Sequence, residues 1–233
     1  MNIISWNVHF DVNEKKYSHI KEFPCDILIL LECRHKSFEF LKDDWEYCIW
    51  YNDTLHENKS DYGIAVFSNK YRLDFTDNFN RNLRFVIPLK VYDDKDFLFY
   101  LFAVWTKSKP ISYSVNVLKA LEFPGYKEYI SDKAIFIGDF NTPVNQNQTK
   151  TYDNLIQAGL IDCMGNEHKI SRTFFQNDKY GFFTADYCFA TQKMKDNYEI
   201  CEKLGEMKES TIGNDKYEGL SDHCPVFVEI KRI

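Results

Sequence analysis

Short apolar runs alternate with amphipathic stretches along the first third of the chain, and the alternation predicts an early strand–helix–strand order. "NIISW" (2–6) reads as a first strand. "NEKKYSHIKEF" (13–23) follows, with Tyr17, Ile20 and Phe23 at near-helical spacing. "DILILLE" (26–32) is a continuous Ile/Leu run, the pattern of a strand buried on both faces. "KSFEFLKDDW" (36–45) sets Phe38, Leu41 and Trp45 on one helical face. The pattern then changes. "WEYCIWY", "YGIAVFS", "LRFVIPLKVY" and "FLFYLFAVW" are consecutive strand-like runs separated by polar turns. "SYSVNVLKALEF" (112–123) returns to helix and stops near Pro124. "KAIFIGDF" (133–140) is a strand, "TYDNLIQAGL" (151–160) a helix ending at Gly159, and "FFTADYCFAT" and "CPVFVEI" are strands. The polar segment 202–220 reads as a loop or irregular strand. Early βαβ order followed by strand meanders predicts sheets covered by helices in one domain spanning 1–233.

Composition narrows the class. The 233 residues are 44% hydrophobic and 17% aromatic, enough for a sizeable core. A formal charge of −6 supplies no general basic field for nucleic acid, which leaves a local basic patch or a metal ion to do that work. Seven cysteines without a C-x-x-C pair read as reduced, mostly buried thiols. The longest apolar run, Phe97 to Trp105, is too short to span a bilayer, and "MNIISWNVHF" has no leader pattern. The expectation is a soluble, cytoplasmic, monomeric protein with no membrane insertion.

Several apolar runs end in polar side chains: Asn7, Glu32, Asp139 with Asn141, and Asp222 with His223 just before the last strand; Asp186 sits inside a strand-like run. Each has an ordinary reading alone. Asn7 suits a strand-end turn, Glu32 marks emergence into solvent, and Asp139 with Asn141 suits an Asx turn stopped by Pro143. Asp186 suits the polar face of an edge strand, and Asp222–His223 a surface loop. If the ends converge, four carboxylates, two amides and one imidazole share a site. Like charges that close repel strongly, and a hard divalent cation with oxygen ligands relieves them; magnesium or manganese fits.

Taken in order, these motifs resemble the endonuclease/exonuclease/phosphatase family, which includes exonuclease III-like enzymes, pancreatic-type DNases, sphingomyelinases and inositol polyphosphate 5-phosphatases. "ISWNV" is similar to the family's opening strand, "LILLECR" to its strand ending in a metal-binding Glu, and "YGIAVFSN" to its Gly-containing strand. "FIGDFNTP" resembles G-D-F-N, "TADYCFAT" the R-I-D-Y-I strand, and "LSDHCPVFVEI" the closing S-D-H-x-P-V. The resemblance runs over residues 1–233, and "GDFN" with "SDHCPV" is its most specific pair.

The resemblance implies an α/β (α+β) fold, a four-layer, DNase I-like sandwich of two mixed β-sheets flanked by helices. It implies a magnesium-dependent (or manganese-dependent) phosphoesterase with Glu32, Asn7 and Asp222 at the metal. Asp139 orients or deprotonates the attacking water, Asn141 holds that water or a phosphate oxygen, and His223, positioned by Asp186, touches the phosphoryl oxygen. Nucleic acid is the expected substrate and a small phosphate ester the alternative; retention of the whole set argues against an inactive scaffold. Three departures bear on substrate. His9 follows in "NVH" where many nucleases of the family have Asn or Asp. Trp105 or Thr106 stands where the family often places a Tyr or His. Thr184 and Ala185 replace the usual Arg-Ile. Trp105, Thr106 and Arg84 are the expected substrate contacts, with Arg81, Lys107 and Lys109 as further phosphate candidates or plain solvated charges.

Overall fold

The computed structural model describes residues 1–52, 61–106, 114–142, 150–169, 172–175, 182–205 and 220–233. Lys107, Lys109 and Pro143, and most of the polar segment 202–220, lie outside them. In chain order the first part holds β1 (Asn2–Phe10), α1 (Glu14–Lys21), β2 (Ile27–Arg34), α2 (His35–Leu41), β3 (Tyr47–Tyr51) and β4 (Tyr62–Ser68). β5 (Arg72–Phe75), β6 (Val86–Asp93), β7 (Asp96–Trp105), α3 (Ser114–Glu122), α4 (Lys127–Ile130) and β8 (Ala134–Asp139) follow. The last part holds α5 (Lys150–Gln157), β9 (Ile161–Asp162), β10 (Phe174–Phe175), β11 (Phe182–Phe183), β12 (Asp186–Ala190), α6 (Gln192–Asn197), β13 (Tyr198–Leu204) and β14 (Val226–Arg232).

Two six-stranded sheets result, ordered β13-β14-β1-β2-β4-β3 and β5-β6-β7-β8-β12-β9, with β10-β11 as a separate ribbon. Each large sheet is mixed. Its parallel pair, β1 with β2 or β7 with β8, lies at the centre, and the other pairings are antiparallel. A parallel pair needs a crossover; α1 supplies the first, and α3 with α4 the second.

Side-chain alternation builds the layers. Along β2, Ile27, Ile29 and Leu31 enter the core between the sheets, while Leu28 and Leu30 face the layer that holds Ile20 of α1 and Leu41 of α2. Along β8, Ile135 and Ile137 enter the same central core, while Ala134 and Phe136 face Val117 and Ala120 of α3 and Leu155 of α5. Strands buried on both faces must be apolar throughout, which explains why both runs read as continuous. Each buried Ile, Leu or Phe contributes about 1.5–3 kcal/mol. The architecture is helices, sheet, sheet, helices, as expected. All seven cysteines are free, and only Cys201 is exposed.

Several elements depart from the sequence expectation. "LRFVIPLKVY" begins as a 3-10 turn, Arg81–Leu83, and Arg84 and Phe85 take positive φ before β6 starts. "FFTADYCFAT" is not one strand: β11 ends at Phe183 and β12 begins at Asp186, with Ala185 and Asp186 donating N–H groups to the Thr173 hydroxyl between them. β5, β9, β10, α6 and β13 were not expected. They are short or, like "YEICEKL", expose alternate positions (Glu199, Cys201 and Lys203) because one face meets solvent, with Glu202 buried on the other.

Candidate active site at the open end of the sandwich

The same alternation places the polar residues. Asn7 shares the inward face of β1 with Ile3; Asp139 shares the inward face of β8 with Ile135 and Ile137; Asp186 shares that of β12 with Cys188 and Ala190. Asp186 and Asp139 are direct partners across the antiparallel pair. The central core therefore ends in polar side chains where β8 runs out and β1 slips register against β2 after Asn7, and the loop before β14 lays His223 across them.

Glu32 reaches the group by another route. It takes φ 54° at a register shift between Leu31 and Cys33, so the chain gains a residue there: Leu31 faces the central core and Cys33 the outer layer. Asn141 takes φ 47°. Positive φ at non-glycine residues costs about 1–3 kcal/mol each and concentrates at working sites. Gly138 precedes Asp139 for a steric reason. Its φ is 143°, and a Cβ there would stand 1.9 Å from the Val104 carbonyl oxygen of the neighbouring parallel strand.

The contacts converge on the Asn7 amide. Its Nδ2 donates to Glu32 Oε1 at 3.2 Å and to Asp139 Oδ2 at 3.1 Å, and lies 3.4 Å from His223 Nε2. Asp139 Oδ1 accepts from the Asn141 backbone N–H at 2.8 Å, and Oδ2 from Asn141 Nδ2 at 3.0 Å. His223 Nδ1 meets Asp186 Oδ2 at 2.8 Å, and its Nε2 lies 3.9 Å from Asp139 Oδ2. The loop is fixed from both sides. The Trp6 indole donates to the His223 carbonyl, and the Ser221 hydroxyl donates to the Asn7 carbonyl while accepting from the His223 N–H. The Phe174 ring packs on the imidazole at 4.7 Å.

Asn7, Asp139, Asp186 and His223 are all at most 4% exposed. Burial pushes Asp139 up to about 8 against the pull of His223, with Asp186 and Glu32 adding to the rise. Burial alone would push His223 down, but Asp186 and Asp139 carry it up to about 10. Asp139, Asp186 and His223 stand close enough to hold a metal ion, and Glu32 Oε1 approaches the same Asn7 nitrogen as Asp139. The donors are mostly carboxylate oxygens, and Asp139 stays raised even with the His223 ring 3.9 Å away, so further positive charge beside it would be stabilising. A divalent cation beside Glu32 and Asp139 supplies that charge, so the residues fit such an ion.

Two expected substrate contacts are corrected. Trp105 is 2% exposed and belongs to the central core, its ring packed on Phe85 at 4.5 Å and Tyr62 at 5.9 Å, so no face is open to stack on a base. It shares the inward face of β7 with Leu101 and Ala103, and that parity decides its direction. Thr106 is equally buried and acts as framework: its N–H donates to the Asp139 carbonyl, and its own carbonyl accepts from Asn141 Nδ2 at 2.6 Å. Arg84 is half-buried in the turn before β6, level with Thr106 because the Phe85 carbonyl accepts from Trp105 N–H. Asp222 lies at the same mouth, 3.1 Å from His9 Nδ1. Thr173, Ser221, Trp6 and Phe174 went unrecognised; only the Ser of "SDH" carried a local signal.

No protein-family model and no curated protein matches the chain. Solved structures do. TDP2 from D. rerio, in complex with a single-strand DNA product, superposes with a TM-score of 0.68 at 17% identity, over 99% of this chain and 98% of that one. A 3'-5' exonuclease from Neisseria meningitidis gives 0.62 at 18% identity, over 99% and 100%. A mannosyl-6-phosphatase from Bacteroides thetaiotaomicron gives 0.62 at 16% identity, over 99% of both. Other matching chains are named endonuclease/exonuclease/phosphatase family proteins. The chain thus has the DNase I-like fold of those proteins.

Proposed function

We propose that residues 1–233 form a single catalytic domain of the endonuclease/exonuclease/phosphatase family, a divalent-metal-dependent phosphoesterase whose main substrate is a phosphodiester of DNA or RNA. The observation that carries this reading is one amide nitrogen, Asn7 Nδ2, within 3.4 Å of Glu32, Asp139 and His223 at the open end of the core. Four elements far apart in sequence deliver those groups, and no packing need is served by burying them together. Magnesium is the expected ion, with manganese able to replace it.

Glu32, Asn7 and Asp222 would hold the cation, which supplies Lewis acidity toward a phosphate oxygen when bound. Asp139, anchored through both carboxylate oxygens, orients a water and takes its proton as the water oxygen forms the new P–O bond. Asn141 steadies that carboxylate and faces solvent, in position to hold the water or a phosphate oxygen. Asp186 holds the His223 ring through Nδ1, which leaves Nε2–H to donate to the phosphoryl oxygen as charge develops on it. The bond to the leaving oxygen then breaks, and no covalent enzyme intermediate is needed.

A small phosphate ester is the second reading. The charge of −6 favours it, and so does the burial of Trp105, which removes one expected stacking surface. Among the described residues no helix is long and apolar enough to cross a membrane; the cytoplasmic, monomeric protein expected from the sequence belongs to this proposal. The test is a hydrolysis screen with magnesium or manganese over single-stranded, duplex and abasic DNA, RNA, cyclic dinucleotides, and sugar and inositol phosphates. Cleavage of a polynucleotide is expected. Turnover of a small monoester alone would move the substrate to the second reading, and hydrolysis of none would overturn the function.

A further inference from the structure

β1 does not end at Asn7. It continues through His9 and Phe10, and both take left-handed backbone, φ 47° and 81°. Asn7 still pairs with Leu31 of β2 and Phe10 with Cys33, so Val8 and His9 fall in the register slip between them. Left-handed backbone strains any residue with a side chain, and such strain persists only where the surroundings hold it.

What holds it is a buried ammonium that the hydrolytic mechanism above does not use. Lys16 stands in the first turn of α1 and is 7% exposed. Its Nζ donates to the Val8 carbonyl at 2.5 Å and to the Asp11 carbonyl at 2.7 Å, one on either side of the strained pair. Lys16 is itself anchored, because the Asn13 side chain caps α1 by accepting from the Lys16 N–H at 3.0 Å. The ordinary reading is that Lys16 satisfies two carbonyls, one of them on the fully buried Val8. That accounts for the carbonyls, but a charged group is a costly donor to bury, and the turn it holds has a second consequence.

The turn brings the His9 N–H onto Asn7 Oδ1, at 3.1 Å. That bond decides which end of the Asn7 amide faces the site. With Oδ1 engaged by His9, Nδ2 is left to donate to Glu32 Oε1 and Asp139 Oδ2. With the amide turned over, its oxygen would face two carboxylates and be repelled by both.

We infer that Lys16 is a positioning residue: its ammonium holds the strained end of β1, and that end, through the His9 N–H, keeps the Asn7 amide donating to Glu32 and Asp139. Only the kinetic consequence rests on the phosphoesterase reading above. The orientation of the amide belongs to the protein without substrate or ion.

Lys16→Met retains an unbranched stem and removes the charge; Lys16→Gln is read in the same way should the first variant not fold. Hydrogen exchange of the Asn7 side-chain amide, followed by NMR on the 15N-labelled full chain without metal, tests the orientation. The Asn7 Nδ2 protons should exchange about tenfold or more faster in the variant than in wild type, while the backbone amides of β2 and β8 keep their protection. With a substrate and metal ion in hand, kcat should fall about tenfold or more with KM unchanged. The double variant with Asn7→Ala should lose little beyond Asn7→Ala alone, because Lys16 acts through that amide. Unchanged Asn7 exchange would overturn the inference. So would equal loss of protection in β2 and β8, which would mean general loosening, or kinetic losses that add in full. If the chain hydrolyses nothing, the proposed function fails, and the exchange measurement still decides the role of Lys16.

Discussion

His223 shows how much one side chain depends on its neighbours. Its ring is 4% exposed, held at Nδ1 by Asp186 and covered by Phe174. A carboxylate accepting from Nδ1 fixes the tautomer and favours the charged ring, so Nε2 carries a proton at neutral pH, where a free imidazole is mostly neutral. Removing this donor with His223→Ala should lower kcat/KM by about 10²–10³-fold, the usual loss for a donor aimed at developing oxyanion charge. Asp186→Asn should damage the same interaction, so the double variant should lose little beyond His223→Ala alone. Measuring kcat/KM for the two single variants and the double variant checks this; strictly additive losses would show two independent residues. The sequence already exposed these residues as polar interruptions of apolar runs. It could not show their partners, because Asp186 and His223 lie 37 residues apart.

At the scale of elements, legibility followed local physics. β1, β2, β7 and β8 announced themselves because strands covered on both faces must be apolar. Asn7 and Asp139 could be placed inward by counting alternate positions from the core residues. Glu32 could not, because the bulge that turns it toward the site is a backbone event with no side-chain pattern. Trp105 illustrates the opposite error: its position at a strand end suggested a substrate contact, while its parity with Leu101 and Ala103 sent it into the core. β9 and β13 were invisible as strands because a two-residue strand and a half-charged one carry little pattern. They are nonetheless joined by a buried triad. His168 Nδ1 meets Asp162 at 2.7 Å and its Nε2 meets Glu202 at 3.1 Å, with Tyr152 donating to Asp162. Burial alone would lower His168, but Asp162 and Glu202 outweigh it and hold the ring at about 9; burial pushes Glu202 up to about 7 despite His168. Both groups keep protons in the folded state that the unfolded chain releases. The His168 contribution is complete below about pH 6.5 and is lost as pH rises through 9, and ionisation of Glu202 acts in the same direction from about 4.5 to 7. Urea unfolding between pH 6.5 and 9 should therefore show wild type losing on the order of a few kcal/mol relative to His168→Gln. Parallel profiles for the two proteins would mean that the triad does not link protonation to folding.

Across the whole molecule, the sandwich creates the site by running out of apolar residues at one end. The two ends of the chain meet in one sheet, β1 beside β14, so the first and last motifs of the sequence become neighbours. That arrangement depends on long-range pairing, and no local reading of either motif implies it. It also concentrates negative charge in a molecule that already carries −6. Asp139 is raised chiefly by its burial, and Asp186 and Glu32 add to the rise against the pull of His223. On the proposed function, a divalent cation completes this end of the core for hydrolysis. The most direct test is single-turnover hydrolysis of a p-nitrophenyl phosphodiester by chelator-treated protein, with and without added Mg2+ or Mn2+, for wild type and Asp139→Asn. Turnover should appear in wild type only when the ion is restored, and should fall about 10²-fold or more in Asp139→Asn with the ion present. Full turnover in excess EDTA, or an Asp139→Asn protein as fast as wild type, would overturn the proposed function.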